Sequence, residues 1–265
     1  MLFTVPEGLA AGAQPVVISI GGVSAPTRTL YVGADLPAIS TIENSATGTL
    51  ETTTHAAAPN SIVSIYVANA GNTTAAPSSY PTTTVEGVQV LVNGTAVPIY
   101  ALAPASGQIN VQLPSELSTT GTASISVTNG SGASPGVTFA LGPADVGIFR
   151  IPSSTYPNNG AIQIAGTVWD VMPSSIASTY NLPACAGLSA SSLCGQPAKP
   201  GDNISVYWTG GGPTSPTLPT GQVAPTDGST RYRTTQMPAV TIGGLAATVA
   251  FSGIVPGTAG DINST

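Results

Sequence analysis

Short apolar stretches alternate with polar residues at period two along most of the chain: Val16, Ile18 and Ile20; Val63, Ile65 and Val67; Val137, Phe139 and Leu141. In an extended strand successive side chains point to opposite faces, so each stretch offers one face to a core and one to water. The stretches are brief and end at Gly, Pro, Asn or Thr, and none carries a capped 3.6-residue period long enough for a helix of several turns. The pattern predicts an all-β chain of antiparallel β-sandwiches, about seven strands each.

The stretches also repeat. PNSIVSIYV (59–67) matches PGDNISVYW (200–208), each a Pro-led turn running into an alternating strand. VLVNGTAV (90–97) matches VTIGGLAA (240–247), with Asn93-Gly94 or Gly243-Gly244 set as a two-residue hairpin turn. GQIN (107–110) then matches GDIN (260–263). The residues after GQIN have their counterpart at the opposite end of the chain. Val5-Pro6 and Leu9 align with Leu113-Pro114 and Leu117, Val16–Ile20 with the strand around Ile125–Val127, and Gly33-Ala34-Asp35 with Pro143-Ala144-Asp145. The second unit is therefore divided, its front half at 200–265 and its back half at 3–33. Ser264, Thr265, Met1 and Leu2 would form the join. The expected organisation is a strand segment (1–33), a linker (34–58), a complete module (59–142), a linker and insertion carrying the cysteines (143–199), and an incomplete module (200–265).

These phrases, PNSIVSIYVANAG, VLVNGTAVPIYALAPASGQINVQLPSEL, ALGPADVGIFR with GAIQ, KPGDNISVYWTGGG, AVTIGGLAATVAFSGIVPG and TVPEGLAAGAQPVVISIGG, closely resemble the Solibacter-type C-terminal domain. The resemblance covers about three quarters of the chain, and it departs from the family in one respect: the last phrase stands first. It implies two tandem Ig-like sandwiches, the second split between the termini, in a secreted or surface protein of Acidobacteria. That family brings no established catalytic residues, so none is carried over.

Charged residues make up 6% of the chain, against about 25% in an average soluble domain. Hydroxyls and amides must therefore solvate most of its surface. Five Lys or Arg against eleven Asp or Glu give a net charge of -6, with no cationic face to neutralise a phosphate backbone, which argues against nucleic acid as a partner. Hydrophobic residues at 42% can bury a core, yet no apolar run approaches the about 18 residues of a membrane-spanning helix. Met1–Ala13 lacks a basic start and places Pro6 and Glu7 where the apolar part of a signal peptide would lie. Cys185 and Cys194, close together in the polar loop ACAGLSASSLC, read as a disulfide, implying an oxidising, secreted or cell-surface setting; two free thiols are the alternative.

Candidate chemistry is sparse, and no enzyme, cofactor or metal is expected. His55, the single histidine, reads as a solvated linker residue. Gly132-Ala133-Ser134-Pro135-Gly136 fits the nucleophile-elbow spacing, but Pro135 has no N–H to give an oxyanion hole. The carboxylates show no calcium-loop spacing, which leaves a calcium site assembled across a module junction as the alternative. Asn72, Asn93, Asn129 and Asn203 begin formal glycosylation sequons explained by chance and turn chemistry. Trp169, Trp208, Tyr66 and Tyr207 could stack on a sugar, although strand register assigns Tyr66, Tyr207 and Trp208 to sheet or core.

A sandwich lacking strands exposes apolar surface and unpaired edges that something must cover. An excised repeat array, closure of 1–33 onto 200–265 of the same chain, and donation of 1–33 to a neighbour would each do so. The third makes the protein the subunit of a head-to-tail homopolymer, an extracellular filament. The expected donor residues are Phe3, Val5, Leu9, Val16, Ile18 and Ile20; the expected acceptors are Val206, Ile242, Val249, Phe251 and Ile262. Burying the six donors would contribute a gross about 10–15 kcal/mol. The alternative class is an adhesion or carbohydrate-binding module that meets a glycan or surface ligand.

Overall fold

Residues 12–32 fold into an antiparallel ribbon in which β1 (Gly12–Val16) pairs with β4 (Arg28–Val32), and β2 (Ser19–Ile20) with β3 (Val23–Ser24). The ribbon turns at Gly21-Gly22, with φ of 59° and 82°. A two-residue type I′ turn needs left-handed backbone at both positions, which glycine adopts without strain. Asn93-Gly94 and Gly243-Gly244 make the same pair of positive φ angles, as their sequence predicts. The computed structural model describes residues 3–6, 8–10, 12–33, 36–71, 74–76 and 81–259, with the backbone of 262–264. It is nearly all β, with 40% strand and 4% helix. Among the described residues β1–β4 pair with one another and with no other strand.

The first sandwich comes next along the chain, built from β5 (Ala38–Asn44), β6 (Ala56–Ala57), β7 (Ile62–Ala68), β8 (Gln89–Val92), β9 (Thr95–Ala96), β10 (Ile99–Ala103), β11 (Gln108–Gln112), β12 (Thr122–Asn129), β13 (Gly132–Ala133) and β14 (Val137–Leu141). One sheet has the order β10-β11-β7-β5; the other runs β6-β14-β12-β8-β9, with β13 folded onto β12. Pairing is antiparallel except between β6 and β14. Between the sheets lie Val63, Ile65, Val67, Ile109 and Val111 from one side and Val90, Val92, Ile125, Val127 and Phe139 from the other, each at most 3% exposed. Residues 34–58, expected as a linker, contribute β5 and β6. The bulge between Ile39 and Thr41 shifts the register of β5 on β7 and breaks the alternation that would have marked a strand.

The second body contains β15 (Gly147–Ile148), β16 (Ile162–Ile164), β17 (Trp169–Val171), a one-turn helix (Ser174–Ala177), β18 (Cys194–Gln196), β19 (Ile204–Thr209), β20 (Thr214–Ser215), β21 (Arg233–Thr234), β22 (Val240–Ile242), β23 (Leu245–Ala247), β24 (Ser252–Ile254) and β25 (Ile262–Ser264). Its main sheet runs β18-β17-β16-β19-β25-β24-β21-β20, with β15 also on β19; β22 and β23 form a separate ribbon. The stretch 143–199, expected as linker and insertion, thus supplies β15–β18 to that sheet. Cys185 and Cys194 are joined by a disulfide with Cα atoms 5.0 Å apart, beside the Trp169–Cys194 strand pair. Across the two bodies the Ile62 N–H donates to Thr209 Oγ1 (2.7 Å) and the Ser115 N–H to Thr220 Oγ1 (2.8 Å). The cores differ in size. Among the described residues the first sandwich buries a cluster of twenty-one apolar side chains, whereas a cluster of three, Leu218, Ala224 and Ile254, lies in the second body with Tyr232 packed against it. Among the described residues no helix is long and apolar enough to cross a membrane.

Candidate functional site

The repeat makes Ile204, Val206 and Trp208 the counterparts of Val63, Ile65 and Val67. In the first sandwich those three face a second sheet and are buried. In the second body Ile204, Val206 and Trp208 instead floor a groove of about 330 Å³, walled by Val146, Ile148, Ile162, Val240 and Ile242. Val92 is 1% exposed, but its counterpart Ile242 is 57% exposed. The strand edge differs as well. β8 is bonded on both sides, with Ile125 opposite Val92, Ser126 opposite Leu91 and Val127 opposite Val90. Its counterpart β22 pairs with β23 alone among the described residues. An apolar floor, an apolar wall and one free strand edge therefore meet at this groove.

The N-terminal ribbon shares its strand register with the β12–β14 hairpin, whose strand β12 pairs with β8. In the ribbon, Ile20 pairs with Val23 at the tip and Val16 with Arg28 in the stem. In the first sandwich, Asn129 pairs with Gly132 at the tip and Ile125 with Val137 in the stem. Both hairpins lose one register place between tip and stem, so Gly12–Val32 overlays Gly121–Leu141 pair for pair. That register puts Val16, Ile18, Leu30 and Val32 where Ile125, Val127, Phe139 and Leu141 sit buried. In the ribbon Ile18 is 44% exposed and the other three are half-buried.

The register also redistributes the expected donors. Ile20, at 77% the most exposed of them, falls at Asn129, the last strand residue before the turn, and Val17 falls at Ser126, on the outer face. Phe3, Val5 and Leu9 are exposed, and the repeat sets Val5 and Leu9 at the buried Leu113 and the half-buried Leu117. Of the expected acceptors, Val206 and Ile242 line the groove. Val249 is half-buried outside any strand. Phe251 packs under the Arg233 guanidinium, 5.0 Å from its ring centre, and lines a separate cavity with Ala224 and Ile254. The side chain of Ile262 lies outside the described residues, while its backbone pairs with Trp208. Met1, Leu2, Gly260, Asp261 and Thr265 at the expected join also lie outside them. Val146 and Ile148 were missed as groove residues because 143–149 reads as a linker. Their alternation directly after Pro143-Ala144-Asp145 is the signal that marks them.

His55 has a partner that its sequence context hides: its Nε2 lies 3.1 Å from Asp145 Oδ1, ninety residues along the chain. Close by, burial and then the neighbouring Asp145 carboxylate push Glu51 up to about 9. Ser134 is tied to backbone, accepting from the Val127 N–H (3.0 Å) and donating to the Pro135 carbonyl (3.0 Å). Among the aromatic residues, Trp208 is buried, Tyr66 and Tyr207 are half-buried in strands, and the Trp169 indole donates to the Ser189 carbonyl (2.9 Å). At two sequons the amides bond to distant parts of the first sandwich, Asn93 Oδ1 accepting from the Ser124 N–H and Asn129 Nδ2 donating to the Asn69 carbonyl; Asn72 lies outside the described residues.

No protein-family description, curated protein or solved structure matches this chain.

Proposed function

We propose that the protein is the structural subunit of an extracellular filament, in which the β1–β4 ribbon of one subunit completes the second sandwich of the next. The observation that carries this reading is the shared register of the ribbon and the β12–β14 hairpin, together with the free edge of β22. Transferring the β8–β12 pairing onto β22 sets Val16 opposite Ile242, Val17 opposite Thr241 and Ile18 opposite Val240 of the neighbour. By the same transfer Val32 comes beside Ala198, as Leu141 lies beside Ala57. Ala57 is fully buried under β14, while Ala198 is exposed.

The driving force is the one that closes the first sandwich: apolar residues leave water and an unpaired edge gains main-chain hydrogen bonds. Because the surface given differs from the surface received, each contact leaves a ribbon free at one end and a groove at the other, and the series stays open. The disulfide and the sparse charge suit an oxidising extracellular setting. The Ig-like identity of the sandwiches and membership of the Solibacter-type family belong to the same proposal.

Deleting residues 1–33 tests it. The full chain should form filaments that persist on dilution and are visible by negative-stain electron microscopy, and the truncated chain should sediment as a monomer. Polymerisation of the truncated chain would overturn the proposal.

A further inference from the structure

Asn44, Glu51, His55 and Asp145 converge where the first sandwich meets the connection into β15. Asn44 ends β5, Glu51 and His55 lie in the loop before β6, and Asp145 immediately precedes the groove residue Val146. Glu51 is 5% exposed, and among the described residues neither of its carboxyl oxygens accepts a hydrogen bond; the group it faces is the Asp145 carboxyl, itself an acid. Among the described residues no Lys or Arg forms an ion pair with it. Burying a carboxyl group with no donor and no counter-charge is costly, and such a group in a folded protein calls for an explanation. One oxygen or nitrogen each from Glu51, His55 and Asp145 lies within 4.8 Å of the others.

The Asp145 side chain is also held in place. Asn44 Nδ2 donates to its Oδ2 (2.6 Å) and to its carbonyl oxygen (2.8 Å). Asn44 Oδ1 in turn accepts from the Ala46 N–H (3.0 Å) and the Thr47 N–H (3.3 Å), which fixes the amide with its nitrogen towards Asp145. Gly147 leaves room for this arrangement, since a Cβ there would sit 2.7 Å from Asn44 Oδ1.

We infer that Glu51, His55 and Asp145 form a binding site for a zinc-type divalent cation that clamps the first sandwich to the strand leading into the second body. One imidazole nitrogen with two carboxylates is a donor set for zinc, which takes four ligands at about 2.0–2.2 Å. Calcium wants six to eight oxygens and has no use for the imidazole. Water completes the fourth position. Asn44 plays the outer part common at such sites, orienting a ligating carboxylate by hydrogen bonds. His55 is half-exposed and free to close the remaining distance.

Isothermal titration of the EDTA-stripped full chain with zinc chloride, and separately with calcium chloride, tests the site. One zinc per chain is expected, bound at least about tenfold more tightly than calcium. Glu51→Gln and Asp145→Asn should each weaken zinc by at least about tenfold, and Asn44→Ala by about 10–100-fold through the misplaced Asp145. His55→Ala alters a half-exposed side chain, so it keeps the fold and should weaken zinc by at least about tenfold as well. Absence of zinc binding by the unaltered chain, tighter binding of calcium, or zinc affinity unchanged in His55→Ala would each overturn the inference.

Discussion

Replacing Ile18 by Asp separates the effect of register from a simple ranking by exposure. Ile20 is 77% exposed and Ile18 44%, so exposure alone makes Ile20 the stronger anchor of any contact the ribbon makes. The register says otherwise: Ile18 takes the place of Val127, which is fully buried between two sheets, and Ile20 takes the place of Asn129 just before a turn. Burying an Ile side chain stabilises by about 1.5–3 kcal/mol. An aspartate in its place loses that gain and must also be buried neutral, and a pKa raised by about 3 units at such a site costs about 4 kcal/mol at neutral pH. The combined loss of about 5–7 kcal/mol is a factor of about 10⁴ or more in the association constant between subunits. Sedimentation velocity over a concentration series should find Ile18→Asp monomeric wherever the unaltered chain is polymeric. Ile20→Asp should polymerise nearly as the unaltered chain does. Thermal melting of the first sandwich should be unchanged in both, because β1–β4 pair with none of its strands. If Ile20→Asp disrupts assembly more than Ile18→Asp, the register reasoning is wrong.

The same geometry sets two further outcomes. With Val17→Cys and Thr241→Cys in one chain, the proposed pairing sets the new thiols opposite each other on the outer face, as Ser126 lies opposite Leu91, and mild oxidation should give a covalent ladder on a non-reducing gel. Val17→Cys with Leu245→Cys should give none, since β23 lies on the far side of β22. Glu51 is raised in the folded chain from 4.5 to about 9, first by burial and then by Asp145. A folded pKa above the unfolded one leaves stability intact below pH 4.5 and erodes it as pH rises towards about 9. Urea denaturation of the metal-free chain should show that decline, and Glu51→Gln should flatten it; equal pH profiles for the two would refute the assignment.

The all-β architecture was legible because period-two alternation and paired glycines or Asn-Gly at tight turns are local signals, and Gly21-Gly22, Asn93-Gly94 and Gly243-Gly244 all turn through left-handed backbone. The ribbon's kinship with β12–β14 was legible only as a loose alignment, since side-chain identity changes from Phe139 to Leu30 while pairing register persists. Of the strands that fall in the expected linkers, two escaped for distinct reasons. β5 hides behind its bulge, and β15 is two residues long and leans on β19 for its hydrogen bonds. The acidic junction was illegible altogether, because its members lie as far as 101 positions apart and meet only after both bodies fold. The contact of Phe251 with Arg233 was not legible either, because alternation in a loosely paired segment does not say which way a ring faces.

The disparity, among the described residues, between a core cluster of twenty-one apolar side chains in one sandwich and a cluster of three in the other body has a kinetic side. A half that cannot finish its own core reaches full stability only when a neighbour arrives, so on the proposed reading joining a subunit and completing its fold are one event. Releasing it then requires undoing that fold, and the rate of subunit exchange becomes an unfolding rate, steeply temperature-dependent and nearly indifferent to how dilute the surroundings are. Such a polymer would keep its length in open water, where the concentration of free subunits falls towards nothing.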